Sequence, residues 1–315
     1  MSRDRTIRAA EKVASCDPIW TALRAQAEQL AESEPELSSF AHATVLKHER
    51  LEAALSYHLA KKIGGEDLSP MQVREIFEEA FAADPAIGEA VRADLSAVYE
   101  RDPACHSYVQ AFLFFKGFHS LESHRIAHWL WEGRLFFLAR MVNHFSRFIT
   151  AIDIHPGAKI GKRFFLDHGF SVIGESAEIG DDVTIYQHVT LGGTNPTTGV
   201  GGKRHPTLRS GVVIGSGAQV LGPIEVGEGA KIGANSVVTK DVAPGQTVVG
   251  IPGKAVPIDV VHYSPGFMPY GTPCGEDMDP VRAKLCELED EIAALRKELK
   301  VLKAERQPQP KVKSA

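Results

Sequence analysis

The side chains best suited to chemistry lie in the second half of the chain. His168 follows Asp167, and Asp153 stands fifteen residues before it; Lys203-Arg204-His205 emerges from a glycine-rich stretch, residues 192–202. Imidazole is the side chain whose ordinary pKa suits proton transfer near neutral pH. A carboxylate beside it fixes one tautomer and makes it a better base. A guanidinium on a glycine-rich loop can grip a carboxylate through two parallel hydrogen bonds. Each has a plainer reading, His168 as a polar residue on an exposed face and Lys203-Arg204-His205 as a solvated basic loop.

What must position these groups is a repeat of six. Ile154, Ile160 and Leu166 open a series that continues, after a slip of one residue, through Ile173, Ile179, Ile185 and Leu191. Beyond the glycine-rich insertion it resumes at Leu208, Ile214, Val220, Val226, Ile232 and Val238. Seven of these thirteen residues are followed by glycine. A helix cannot use an apolar period of six, and ordinary strands alternate by two. A solenoid with one apolar residue per flat face can, three hexads making one triangular coil. Where the glycine slot is broken, His155, Asp167 and Tyr186 fill it. Asp153 lies one coil less three residues before His168, so the two fall near each other around a corner.

Residues 17–147 read as helical. Asp17-Pro18, Asp84-Pro85, Asp102-Pro103 and Ser69-Pro70 are helix starts, since the side-chain oxygen accepts a first-turn N–H and proline has none to leave unsatisfied. The aromatic-rich stretch 112–148, with His119, His124 and His128, is expected to form the helical core and the joint to the solenoid. After a Pro/Gly-rich linker, Val281, Leu285, Leu288, Ile292, Leu295, Leu299 and Leu302 alternate spacings of four and three, a coiled-coil seam. The expected organisation is a helical domain (1–150), a β-helix (151–257), a linker (258–280), a coiled-coil helix (281–306) and a disordered tail (307–315).

The net charge of −5, with both signs interspersed, gives no reason to expect nucleic acid or membrane as partner. No long apolar run suggests a membrane span, and residues 1–10 lack the apolar core of a signal peptide. Cys16, Cys105, Cys274 and Cys286 are scattered without metal-ligand or disulfide-framework spacing. The chain reads as reduced and cytoplasmic, with no metal.

The segments KGFHSLESHRIAHWLW (116–131), DIHP (153–156), DHG (167–169), VTLGGT (189–194) and RHP (204–206) resemble those of serine acetyltransferases over roughly residues 85–257. The resemblance implies an α + β chain, a helical N-terminal domain followed by a left-handed parallel β-helix. It implies acetyl transfer from acetyl-CoA to the hydroxyl of L-serine, the first step of cysteine biosynthesis. His168 would take the hydroxyl proton as the oxygen attacks the thioester and return it to the departing thiolate, with Asp153 orienting the ring. Asp102 and Asp167 would bind the serine ammonium, and Arg204 and His205 its carboxylate. Gly193, Ser216, Lys231 and Ala234 would line the acetyl-CoA slot. The family further implies a homotrimer or a dimer of trimers with sites between subunits, and L-cysteine as a feedback inhibitor competing for the serine site. Asp102 also reads as a helix cap, and Lys231 as a solvated solenoid face. The stretch after His168 is shorter, and the loop after Gly193 longer, than the usual pattern. Many relatives end in a tail whose terminal isoleucine enters a sulfhydrylase; with Ala315 here, that complex is not expected by this route. The competing readings are a hexapeptide acetyltransferase for a sugar, nucleotide sugar or drug hydroxyl, a zinc-dependent hydratase, and a non-catalytic scaffold. The hydratase needs three converging histidines, usually with a close pair, and His155, His168, His188 and His205 show none.

Overall fold

The computed structural model describes residues 17–194 and 202–256, together with Ile292 and Leu295. The linker and tail lie outside these residues, as does the heptad region apart from Ile292 and Leu295, both helical and exposed. The helical part runs α1 (Pro18–Ser33), α2 (Ser38–Ala41, continued by a π turn at His42–Leu46), α3 (Leu51–Ile63), α4 (Pro70–Ala83), α5 (Pro85–Arg101), α6 (Tyr108–Phe114), α7 (Lys116–Glu132) and α8 (Phe136–Thr150). Asp17 accepts from Trp20 N at 3.0 Å, and Asp84 from Ala86 N at 3.0 Å. Ser69 and Gln72 close a reciprocal capping box. Asp102 departs from the expected pattern. It is the C-cap of α5 and starts no helix; its carboxylate accepts from Ala104 N at 2.8 Å inside a turn, and α6 begins later, capped by Ser107. An Asp-Pro pair favours a turn as readily as a helix start.

From Asp153 the chain winds as a parallel β-helix. Strands β1, β4, β7, β10 and β13 form one face, β2, β5, β8 and β11 a second, and β3, β6, β9, β12, β14 and β15 the third. They run β1 (Asp153–Ile154), β2 (Lys159–Ile160), β3 (Phe165–Leu166), β4 (Val172–Ile173), β5 (Glu178–Ile179), β6 (Thr184–Ile185), β7 (Thr190–Gly192) and β8 (Thr207–Leu208). The series continues with β9 (Val213–Ile214), β10 (Gln219–Leu221), β11 (Glu225–Val226), β12 (Lys231–Ile232), β13 (Val237–Val238), β14 (Thr247–Val249) and β15 (Lys254–Val256). Val172 pairs with Thr190, a coil of 18 residues. Asp153 pairs with Val172, a coil of 19, and Glu178 with Thr207, a coil of 29 that carries the insertion. Twelve of the thirteen repeat residues are buried, and Ile160 packs against them partly buried. One aliphatic side chain per face thus fills the prism, which removes apolar surface from water at every turn of the chain.

The two parts share cores. Leu121 of α7 packs into the prism core, and Phe165 of β3 into the helical core. Between them Arg125 donates to Asp94 at 2.5 and 2.9 Å and to the carbonyls of Gly161 and Ile160 at 2.8 and 3.3 Å, while Asp94 accepts from Phe164 N at 2.9 Å. Glu122 lies buried beside this cluster; burial, then the Asp94 charge, push its carboxyl well above the usual range.

His58 and His119 are buried in the helical core, their Nε2 atoms on the carbonyls of Leu113 (3.2 Å) and Phe112 (2.8 Å). Burial pushes His58 down to about 3 and His119 to about 4, and drives the buried His124 well below its ordinary value. Below pH ~6.5 the unfolded chain takes up protons that these folded imidazoles refuse, so stability falls as pH drops toward 4, by about 1.4 kcal/mol per pH unit for each. Asp94, Glu122 and Asp167, whose carboxyls burial raises, act in the opposite sense, but the lowered histidines, which also include His48, His155 and His205, outnumber them. Urea unfolding at pH 7.5 and pH 5 is expected to show a clearly lower midpoint at pH 5; equal midpoints would contradict this.

Candidate active site

The corner between β3 and β4 departs from the rest of the prism by one residue, and that residue is His168. Asp167 N donates to Ile185 O at 2.9 Å, which sets Asp167 level with Tyr186 in the next coil. His188 N donates to Gly169 O at 3.0 Å, which sets Gly169 level with Gln187. Nothing in the coils above stands opposite His168. The inserted residue adopts a left-handed φ of 48°, with Phe170 at 63°, and its side chain is 76% exposed. Such bulges re-aim a side chain out of a regular ladder.

The looped-out imidazole borders a cavity of ≈ 440 Å³ lined also by Asp102, Asp167, Gln110, Phe114 and Lys116. His168 Nε2 is 3.6 Å from Asp167 Oδ1. Asp167 is only 14% exposed; burial pushes its carboxyl up, the His168 ring opposes this, and the Asp102 charge adds to it. Two carboxylates from different parts of the chain thus face one space, an arrangement that favours a bound cation. Asp153, at the start of β1, is held instead by Arg147 Nη1 at 3.1 Å and Asn143 Nδ2 at 3.2 Å, and no ion pair joins it to His168 in the single chain.

Ser216 and Ala234 continue the His168 corner upward. Gly217 N donates to Gln187 O and Asn235 N to Ser216 O, so Gly169, Gln187, Ser216 and Ala234 stack in one column. Lys231, on β12, lines a second cavity of ≈ 790 Å³ that shares Asp102 with the first. Burial pushes its ammonium down.

Gly193, Arg204 and His205 stand elsewhere, beyond β7 at the opposite edge of the same sheet. The Arg204 guanidinium pairs with Glu175. His205 Nδ1 lies 3.1 Å from Ser176 N and 3.0 Å from Ser176 Oγ, and its ring covers Gly174, where a Cβ would come within 2.0 Å of Cδ2. Burial, then the Arg204 charge, lower the His205 pKa. Arg204 lines a separate cavity of ≈ 300 Å³ with Glu175, Ser176, Lys159 and Lys203. One chain therefore gathers Asp102, Asp167 and His168, with Ser216, Ala234 and Lys231 along or near the same edge, and keeps Arg204 and His205 apart from them.

Glu175 and Ser176, the partners of Arg204 and His205, carry no motif of their own in the sequence. Once the insertion is counted as part of a 29-residue coil, they become the neighbours one turn below. Gly117 is a further missed position, since a Cβ there would lie 1.7 Å from Leu166 O; α7 rests directly on the strand leading to Asp167. Among the described residues no three His, Cys, Asp or Glu side chains converge as a metal site, and no helix is long and apolar enough to cross a membrane.

Residues 19–123 match the serine acetyltransferase N-terminal family, and residues 205–240 match the bacterial transferase hexapeptide family (six repeats). Serine acetyltransferase of Salmonella typhimurium is 48% identical over 239 residues, covering 76% of this chain and 86% of the relative. The crystal structure of the Neisseria gonorrhoeae serine acetyltransferase matches with a TM-score of 0.74 at 44% identity, covering 76% of this chain and 95% of that one. A soybean serine acetyltransferase complexed with serine matches with a TM-score of 0.74 at 45% identity, covering 76% and 98%. The helices followed by a left-handed parallel β-helix are the fold of these structures. With this identity sustained from the helical part through the prism, the chain belongs to the serine acetyltransferase family and is an acyltransferase.

Proposed function

We propose that the chain transfers the acetyl group of acetyl-CoA to the hydroxyl of L-serine, with His168 as general base. The observation that carries this is the single inserted residue of the first coil. It exposes an imidazole beside two carboxylates suited to an ammonium group. That relatives have been solved with serine supports the choice of acceptor. His168 removes the hydroxyl proton as the serine oxygen bonds to the acetyl carbon. The carbon–sulfur bond then breaks, and the same proton passes to the leaving thiolate. Asp167 and Asp102 take the ammonium. The pantetheine arm runs along the column of Ser216 and Ala234, with Lys231 beside it; small residues there let an extended arm lie against the backbone.

A guanidinium fork suits the serine carboxylate best, and the cation that lines the His168 cavity, Lys116, is an ammonium. We infer that Arg204 and His205 come from a neighbouring copy in a trimer, with Gly193 beside them. The exposed Phe114 and Phe170, which border the His168 cavity, and the exposed Val172 on β4 support a neighbour at that edge. Asp153 would exchange Arg147 for the His168 ring once the site is closed. L-cysteine carries the same ammonium and carboxylate, so it competes for this site.

The test is CoA thiol release from acetyl-CoA with L-serine, homoserine, O-phosphoserine and simple sugars as acceptors. Rapid release with L-serine is expected. Release with a sugar and none with serine would overturn the acceptor, leaving the fold and base in place.

A further inference from the structure

Asp102 belongs to the helical part and Asp167 to the prism, so the gap between the two carboxylates depends on how α5 docks. The Asp102 side chain is tied within its own turn, to Ala104 N, and does not reach the prism itself. The residue before it does. Arg101 Nη1 donates to Arg163 O at 3.0 Å, Thr184 Oγ1 at 3.2 Å and Val183 O at 3.3 Å, and Nη2 donates to Asp182 at 2.6 Å. Thr184 is the register partner of Phe165, two residues before Asp167 on the same run of chain. One guanidinium therefore grips the turn just before β3, the strand that leads to Asp167, and the start of β6 beside it.

We propose that Arg101 is a positioning residue for the acceptor: it holds the Asp102 carboxylate over Asp167 at the spacing that one ammonium group can bridge. This rests on the serine reading given above and names a residue outside the binding set. The surrounding ion pairs, Arg163 with Glu100 (2.6 Å) and with Asp182 (2.7 Å), are more exposed than Arg101 and contribute less. Arg101 supplies four bonds from a planar fork, which a lysine cannot reproduce. A purely structural clamp would lower stability or kcat without selecting one substrate. A positioning clamp shows in the KM for the amino acid.

The experiment compares Arg101→Gln, Arg101→Lys and Asp182→Asn with the wild type, using Asp102→Asn as the control for the ammonium site. Arg101→Gln is expected to raise KM for L-serine about tenfold or more, as loss of charge-assisted hydrogen bonds implies, with KM for acetyl-CoA unchanged. Arg101→Lys and Asp182→Asn are expected to fall between. The double variant Arg101→Gln/Asp182→Asn should be no worse than Arg101→Gln alone, because both break one clamp. If Arg101→Gln fails to fold, Asp182→Asn carries the same comparison. An unchanged serine KM in the clamp variants while Asp102→Asn raises it would overturn the proposal, as would an equal rise for both substrates. A wild type that does not turn over serine, or an Asp102→Asn variant with unchanged serine KM, would overturn the serine reading instead.

Discussion

Replacing His168 by alanine is expected to lower kcat with L-serine by about a thousandfold, the usual weight of a positioned general base. The side chain is exposed and makes no core contact, so its loss removes chemistry rather than packing. The backbone adds a complication, because His168 stands at a left-handed φ that alanine disfavours. His168→Asn separates the two effects, since asparagine tolerates that conformation and lacks a base. Both variants should retain KM for acetyl-CoA and lose turnover to a similar extent, read as thiol release under saturating substrates. Retention of more than about a tenth of wild-type kcat in the asparagine variant would contradict a role for His168 as base.

Gly117→Ala is expected to be the most disruptive single-methyl change in the described structure. The added Cβ would lie 1.7 Å from Leu166 O and 2.7 Å from its carbonyl carbon, and both are backbone atoms that no rotamer change can move. The N-terminus of α7 must back away from β3, although Phe118 and Leu121 just beyond are buried in the two cores. Overpacking of this kind costs about 3 kcal/mol or more. The displaced strand leads directly into Asp167 and His168, so activity should fall even where the protein still folds. Urea unfolding together with kcat checks both halves. An unchanged midpoint with wild-type turnover would mean that α7 does not rest on β3 as described.

The prism was legible because its rule is simple: one aliphatic residue every six, nearly all of them buried in the column that the pattern requires. The spacing of seven between Leu166 and Ile173 also announces an extra residue at that corner. Which residue it is could not be read from spacing, because any of the six between could loop out. The hydrogen-bond ladder singles out His168. Asp102 was harder. It lies in a turn with no period to fix it, and the Asp-Pro pair that reads as a helix start closes α5 instead, while Ser107 starts the next helix. The link from Arg101 to the prism spans 81 residues at Asp182 and obeys no local rule, so only the folded chain brings it together. Arg204 and His205 were legible as a pair, but not their separation from His168. A 29-residue coil carries them to the far edge of the sheet, where Glu175 and Ser176 hold them.

That separation makes the shared site the point on which the proposed chemistry stands. The most direct measurement is subunit complementation. His168→Ala and Arg204→Ala chains, each expected to be nearly inactive alone, are co-expressed, and serine-dependent thiol release is measured on the mixed assembly. If one copy supplies His168 and its neighbour Arg204, random mixing leaves about a quarter of the sites intact, and activity should return to roughly that share of wild type. Mixed assemblies as inactive as either parent would contradict a site closed by a second copy.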